Sequence, residues 1–263
     1  MHLDSGAVNE GTTPLRQAVR GGARRLGVED RLTRLYDRIA WLRAGRAARR
    51  NLLDNDRARL VAASVLTESS NCIDVGANEG LFLELFTRVA PLGSHIAYEP
   101  VPALAEELAR RFPSVDVRRT AVADRRGTTT FQVHRSLASR SSLRPVGYGH
   151  DETETTAVQI EDLDSALPDG YEPHLIKVDV EGAEQLVIEG ARQTLDRHGP
   201  VLLFEHQRET ASHYGSGPEQ LWEVLAGELA YRIFDLDGRG PLSRADLVSA
   251  FTTGSRLNFM ARR

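Results

Sequence analysis

From residue 56 onward, short apolar and β-branched runs alternate with helix-compatible stretches, and this alternation limits the possible folds more than any other feature of the chain. The strand-like runs fall at 72–75, 94–99, 115–120, 175–180 and 201–205. Helical stretches at 60–66, 80–89, 102–111, 183–195 and 218–229 precede or separate them. Strands joined through helices give a parallel sheet covered on both faces. Two further runs, 232–235 and 256–260, read as paired edge strands. An insertion interrupts the pattern: 128–133 and 156–160 read as short strands around "RSLASRSSLRPVGYGHDETE". A loop that long inside a compact domain is more often functional or mobile than filler.

Composition narrows the class. The chain has 263 residues, 41% of them apolar, enough for one large domain with an appended segment. A net charge of −4 argues against a protein built to coat nucleic acid. No run of about 18 apolar residues suggests a membrane-spanning helix, and the N-terminus lacks the apolar core of a signal peptide. Cytoplasm is the expected compartment. The single cysteine, Cys72, excludes an intrachain disulfide and a thiolate zinc cluster. Inside the first strand it reads as a small buried hydrophobe.

The expected domains are a disordered tail over 1–13, an arginine-rich helical segment over 14–55, and the α/β domain over 56–263 with its insertion loop at 134–156. In the second, Leu32, Leu35, Ile39 and Leu42 recur at helical spacing, with Tyr36 and Trp41 beside them. A helix with a solvated basic face is the plain reading. A lid, a dimer element, or a docking surface for an acidic partner or a membrane are the alternatives.

"NCIDVGANEG" joins the first strand to its helix, and in such sheets ligands lie beyond the carboxyl ends of the strands. Gly76 lets the backbone pass close to a ligand, and Gly80 lets the helix begin near it. Asp74 stands one pleat before Gly76. The spacing is not G-x-G-x-x-G, and Asp74, Glu79 and Glu84 crowd the turn with negative charge, which disfavours a pyrophosphate. Glu99 closes the next strand, 25 residues after Asp74, where a carboxylate suits adjacent ribose hydroxyls. A nucleoside with a cationic tail and no pyrophosphate fits both acids, and S-adenosylmethionine is such a molecule.

"IDVGANEG", "AYEPVP", "TAVAD", "LIKVDVEGAEQLVIEGA" and "LLFEH" together resemble the FkbM family of methyltransferases, with "KVDVEGAE" (177–184) the most distinctive block. The resemblance covers about 56–205 and leaves out the arginine-rich segment. It implies a class I, Rossmann-like methyltransferase fold: a mostly parallel seven-stranded sheet with helices on both faces, here carrying an N-terminal helical extension. It also implies O-methylation of a hydroxyl on a secondary metabolite or its sugar. By the motif match, Asp74, Gly76, Asn78 and Gly80 would cradle the methionine end of the cofactor, Glu99 the ribose, and Ala121 the adenine.

Methyl transfer needs an aligned acceptor oxygen and a group to take its proton. His206, just past the fifth strand, is the expected base, oriented by Glu205 or Asp179. Asp179 is the alternative base, with Lys177 as its charge partner. Lys177 is the one lysine among 33 basic residues, which suggests a position where arginine does not fit. Asp179, Glu181, Glu205 and His206 could also hold a divalent metal, although no metal is the favoured expectation. The "DLDGRG" run lacks the later acid of a calcium loop and reads as a connection. In the insertion, Ser139, Arg140, Ser141, Ser142, Arg144 and Tyr148 suit a lid over cofactor and acceptor; a plain surface excursion is the alternative. Two other functions stay open: methylation of a carrier-bound or RNA acceptor steered by the basic segment, and a non-enzymatic nucleoside-binding scaffold. The absence of interleaved aromatic residues disfavours RNA.

Overall fold

The computed structural model describes residues 46–134 and 153–263. The expected tail, most of the arginine-rich segment and the Ser/Arg-rich loop lie outside the described residues. The chain divides into two compact units, Met1–Asp56 and Arg57–Arg263. The described part of the first opens helix α1 (Arg46–Val65), where Arg50 Nε donates to Asp54 Oδ2 at 3.0 Å.

The second unit is built on a seven-stranded sheet. Its strands are β1 (Cys72–Val75), β2 (His95–Tyr98), β3 (Val115–Arg118), β7 (Leu175–Val178), β8 (Val201–Glu205), β9 (Arg232–Asp235) and β10 (Asn258–Arg262). The order is β3-β2-β1-β7-β8-β10-β9, parallel except for β10. The chain winds outward from β1 to β3, then restarts at β7 on the other side of β1. The topological switch point therefore lies between β1 and β7.

Alternation along each strand divides the core into two layers. Cys72, Ala97, Leu175 and Leu203 face α2 (Leu81–Val89) and α3 (Pro102–Arg111), packing with Phe82, Phe86 and Leu108. Ala58 and Ala62, from the later turns of α1, join this layer. Ile73, Ile176, Leu202 and Phe204 face the opposite layer, which includes Val187, Leu195, Leu221 and Leu247. Burying each such side chain contributes roughly 1.5–3 kcal/mol.

Several elements differ from the sequence reading. The stretch 183–195 forms two helices, α5 (Glu184–Glu189) and α6 (Arg192–His198). The break falls at Gly190, where a Cβ would sit 2.0 Å from the Ala123 carbonyl oxygen. Gly190 turns its own carbonyl to the Asp164 amide, and the Asp164 carboxylate accepts from the Gln193 and Thr194 amides that open α6. The strands of the insertion are longer than expected. β5 (Gly127–His134) and β6 (Thr153–Glu161) pair antiparallel and, with β4 (Ala121–Val122), form a separate three-stranded sheet. The two final strands pair as read, but β10 inserts between β8 and β9, so only β9 is an edge. Helices α4 (Leu163–Ala166) and α9 (Arg244–Thr253) add to the elements expected from the sequence. Helix α9 opens with a capping box between Ser243 and Asp246, a signal present in the sequence. Completing the helices are α7 (Arg208–Ala211) and α8 (Pro218–Trp222), the latter continuing as π-helical turns over Glu223–Glu228. No helix among the described residues is long and apolar enough to cross a membrane.

The β1 turn rests directly on β7. Gly76 has φ +79°, and a Cβ there would lie 1.9 Å from the Asp179 carbonyl oxygen. Gly76→Ala should cost about 3 kcal/mol or more in urea unfolding, combining overpacking with left-handed strain. Gly254→Ala, which meets nothing within 4 Å at φ +62°, should cost only about 1 kcal/mol. Equal costs at the two positions would contradict the close approach.

Candidate functional site

The glycine turn takes its shape from neighbouring strands. The Gly76 and Ala77 amides both donate to the Tyr98 carbonyl oxygen, at 3.0 and 3.1 Å. Asn78, in the left-handed region at φ +46°, donates its amide to Glu99 Oε2 at 2.8 Å. Glu99 Oε1 accepts from the Val101 amide at 2.9 Å. Glu99 thus bridges the β1 and β2 turns, with each oxygen keeping a second lone pair. Burial pushes its carboxyl up to about 7, against the two amides and Lys177. Gly80 serves packing: a Cβ there would meet Leu108 and Phe112 at 2.7 Å. Arg111 donates to the Glu79 carbonyl at 2.7 Å and to Glu84 Oε1 at 2.5 Å, so part of the acidity read around the turn is locally compensated.

Below the turn, strand register aligns the charged groups. Asp74 pairs with Lys177 and Lys177 with Leu203 across β1, β7 and β8. Lys177 Nζ lies 3.4 Å from Asp74 Oδ1 and 3.4 Å from Asp179 Oδ2, and it donates to the Gly76 carbonyl at 3.1 Å. The Phe82 ring stands 5.5 Å from it. Burial opposes the ammonium's charge, but Asp74 and then Asp179 outweigh it and hold Lys177 above the ordinary lysine range. Burial pushes Asp74 up as well, opposed by Lys177. Both Asp74 oxygens are buried and accept no hydrogen bond of good geometry; the contact with Lys177 is an ion pair at its outer reach. A compact ammonium suits this setting between two carboxylates and the Gly76 carbonyl, where a planar guanidinium fork would need more room.

Beyond β7 the chain turns sharply through Glu181, at φ +54°, and Gly182. Glu184 fixes this turn: its Oε1 accepts from the Val180 and Gly182 amides at 3.1 and 3.0 Å. Its Oε2 is buried with no hydrogen-bond partner. Burial, helped by Asp179, pushes Glu184 up to about 7 against these amides. Beyond its place in the motif block, Glu184 carries no role expected from the sequence. Glu205, at the end of β8, is buried beside Asp179.

His206 differs most from its expected setting. It is fully buried, its ring stacked on Phe251 at 4.7 Å. Neither ring nitrogen has a hydrogen-bond partner, so the expected orienting bond from Glu205 or Asp179 is not made. Burial lowers the imidazole to about 4, leaving it neutral and weakly basic near pH 7. Ala121 is buried in β4 and packs with Val101, Phe131, Val158 and Ile160. Among the described residues, no group of three or more His, Cys, Asp or Glu side chains is arranged to hold a metal ion.

A cavity of about 510 Å³ lies at the other end of the strands, lined by Asn71, Ser94, Ser114 and Tyr171. Its polar groups already serve the fold. Asn71 bonds the Glu172 carbonyl and the Ser94 amide, and the Tyr171 hydroxyl bonds the Ser94 and Cys72 carbonyls. The chemistry-bearing groups crowd the carboxyl ends of β1, β2, β7 and β8 instead.

A family model described as the methyltransferase FkbM domain matches residues 74–233. Among solved structures, the chain is similar to the FkbM methyltransferase of Methylobacillus flagellatus KT, at 16% identity and a TM-score of 0.47. That match covers 75% of this chain and 44% of the other, so this chain spans less than half the length of that protein. It is also similar to a TehB-like S-adenosylmethionine-dependent methyltransferase of Corynebacterium glutamicum, at 12% identity and a TM-score of 0.41, covering 78% and 84% of the two chains. An rRNA methylase of Streptococcus thermophilus matches at 12% identity and a TM-score of 0.41, covering 78% and 91%. No curated protein matches the chain in sequence.

Removing Lys177 should expose how the site is balanced. Lys177→Ala should cost about 3–5 kcal/mol in chemical denaturation, because it leaves buried carboxylates uncompensated. Adding Asp74→Asn should recover a substantial part of that loss. A double variant as unstable as the single one would show that charge is not the cause.

Proposed function

Because this chain belongs to the FkbM methyltransferase family, we propose that it transfers the methyl group of S-adenosylmethionine to a hydroxyl oxygen of a small molecule, a secondary metabolite or its sugar. The observation that carries this reading is the set of partners chosen by the turn amides. Those of Gly76, Ala77 and Asn78 are engaged by Tyr98 and Glu99, so these three are not available to a pyrophosphate. Glu99 instead holds a carboxylate at the strand ends, which suits the hydroxyl donors of a nucleoside, while Asp74, buried beneath the turn, contributes negative charge that favours a cationic end. The lack of free turn amides and the buried acids support a site for this cofactor, in our reading with Asp74, Gly76 and Asn78 toward its methionine end, Glu99 toward its ribose, Gly80 setting the helix against the turn, and Ala121 toward its adenine.

When bound, the cofactor supplies a methyl group on a sulfonium, whose departure leaves a neutral thioether. The chain's residues align the acceptor and take its proton as the C–O bond forms and the C–S bond breaks. Asp179 is the better placed of the two expected bases. It stands at the switch-point end of β7 with its side chain 40% exposed, held by Lys177. His206 lies sealed against Phe251 and has little basicity at neutral pH. Lys177 keeps Asp179 oriented.

Titration calorimetry with S-adenosylmethionine tests the reading directly; absence of binding by the intact protein would remove its support. Two adjacent ribose hydroxyls can both donate to Glu99 only when it is ionised, because a protonated carboxyl gives up one acceptor oxygen, and burial pushes its carboxyl up to about 7. Affinity should therefore rise from pH 6 to pH 8, approaching about tenfold per unit on the acid side. Glu99→Gln should weaken binding and flatten that dependence. Asp179→Asn should slow turnover by roughly 10²-fold or more with cofactor affinity nearly unchanged, and by more than His206→Ala does. The reverse order for the last two would return the base role to His206.

A further inference from the structure

We propose that Asp179 and Glu205 form a carboxyl pair sharing one proton, in which Glu205 is a positioning residue that donates its O–H to Asp179. The pair's part in turnover rests on the methyl-transfer reading; its existence does not.

The geometry follows from strand register. Val178 of β7 pairs with Phe204 of β8, and one residue further along the parallel strands come Asp179 and Glu205. The Asp179 amide still bonds the Val75 carbonyl at 3.0 Å, and Glu205 still pairs with Asn258 of β10. Strand spacing is about 4.8 Å, so the two side chains emerge side by side on one face. Glu205 is buried, whereas Asp179 is 40% exposed and turns Oδ2 toward Lys177. Two anions side by side at that spacing repel, and the more so because one of them is buried away from screening water. The nearest ammonium, Lys177, is already divided between Asp74 and Asp179. A shared proton removes that repulsion.

The groups facing Glu205 from the surrounding elements are acids: Asp179 at the end of β7, Glu181 in the turn, and Glu184 on α5. Burial first, then these three charges, hold its carboxyl well above the ordinary carboxylate range, and it hydrogen-bonds to Asp179. With Glu205 neutral, one side of Asp179 is fixed by an O–H donor and by Lys177. Its exposed side takes the acceptor's proton, after which the pair holds two protons, and one returns to solvent to restore the starting state.

One test needs neither cofactor nor acceptor. A carboxyl with a raised folded value loses stability as pH rises from its unfolded value, near 4.5, toward its folded value. Over that window the unfolded chain ionises and the folded chain does not. Glu205→Gln removes this term. Its stability in urea should match the wild type's dependence near pH 4 and exceed the wild type progressively above about pH 5, approaching tenfold in the unfolding constant per unit. Asp179→Asn should shrink the effect. A difference between Glu205→Gln and wild type that does not change with pH would overturn the pair.

The second test is the acid limb of kcat/KM for the acceptor at saturating S-adenosylmethionine, where the titration of Glu99 no longer contributes. Gln keeps a neutral donor to Asp179, so the limb should stay in place in Glu205→Gln. Ala removes the donor, so the limb should move to higher pH in Glu205→Ala. Movement to lower pH in Glu205→Gln would mean that Glu205 is an anion in the wild type, and the proposal would fall. A growing stability gap without S-adenosylmethionine binding would keep the pair and remove only the methyl-transfer reading.

Discussion

The close approach of the Gly76 backbone to the Asp179 carbonyl sets the geometry on which the rest of the site depends. It brings the β1 turn against the end of β7, at the point where the strand order reverses. The same approach places the Gly76 carbonyl within reach of the Lys177 ammonium. One cation then ties a backbone carbonyl to two carboxylates on neighbouring strands. A side chain at position 76 would separate the turn from β7 and with it the charges that Lys177 holds together.

Electrostatics divides the strand ends into two halves. On the β1–β2 side, backbone amides engage Glu99 and fix it as an acceptor. On the β7–β8 side, Asp179, Glu181, Glu184 and Glu205 gather around a short turn, and burial raises two of them, Glu184 and Glu205. The first half is suited to recognition of donors with fixed positions. The second is suited to holding and moving protons, because small changes in solvent or ligand shift how many protons the group carries.

Much of this was legible in the sequence, for physical reasons that can be named. Near-continuous apolar runs such as Cys72–Val75 and Leu175–Val178 need burial on both faces, and only a covered sheet provides it. The acid before Gly76 and the acid at position 99 could be placed because pleat and strand end follow from counting residues. The partnership of Lys177 with Asp179 followed from the same alternation. What counting cannot supply is approach between distant segments. The break at Gly190 comes from Ala123, and the amides that open α6 are capped by Asp164 from another element. His206 illustrates the same limit. Its position just past a strand suggested a cleft, but Phe251 of α9, an element missing from the sequence reading, closes over it. The clamp made by Glu184 was hidden because a glutamate near a helix start usually signals only a favourable helix dipole.

The chain's composition gives the ion pair beneath the turn one more consequence. With a single lysine in the sequence, all ε-amine chemistry of the protein is concentrated at position 177. That amine is buried and held protonated by two carboxylates, so an acylating reagent can reach it only when the β1 turn lifts away from β7. The protein thereby carries an intrinsic reporter of local opening, in which the rate of amine modification at one residue measures how often the switch point comes apart.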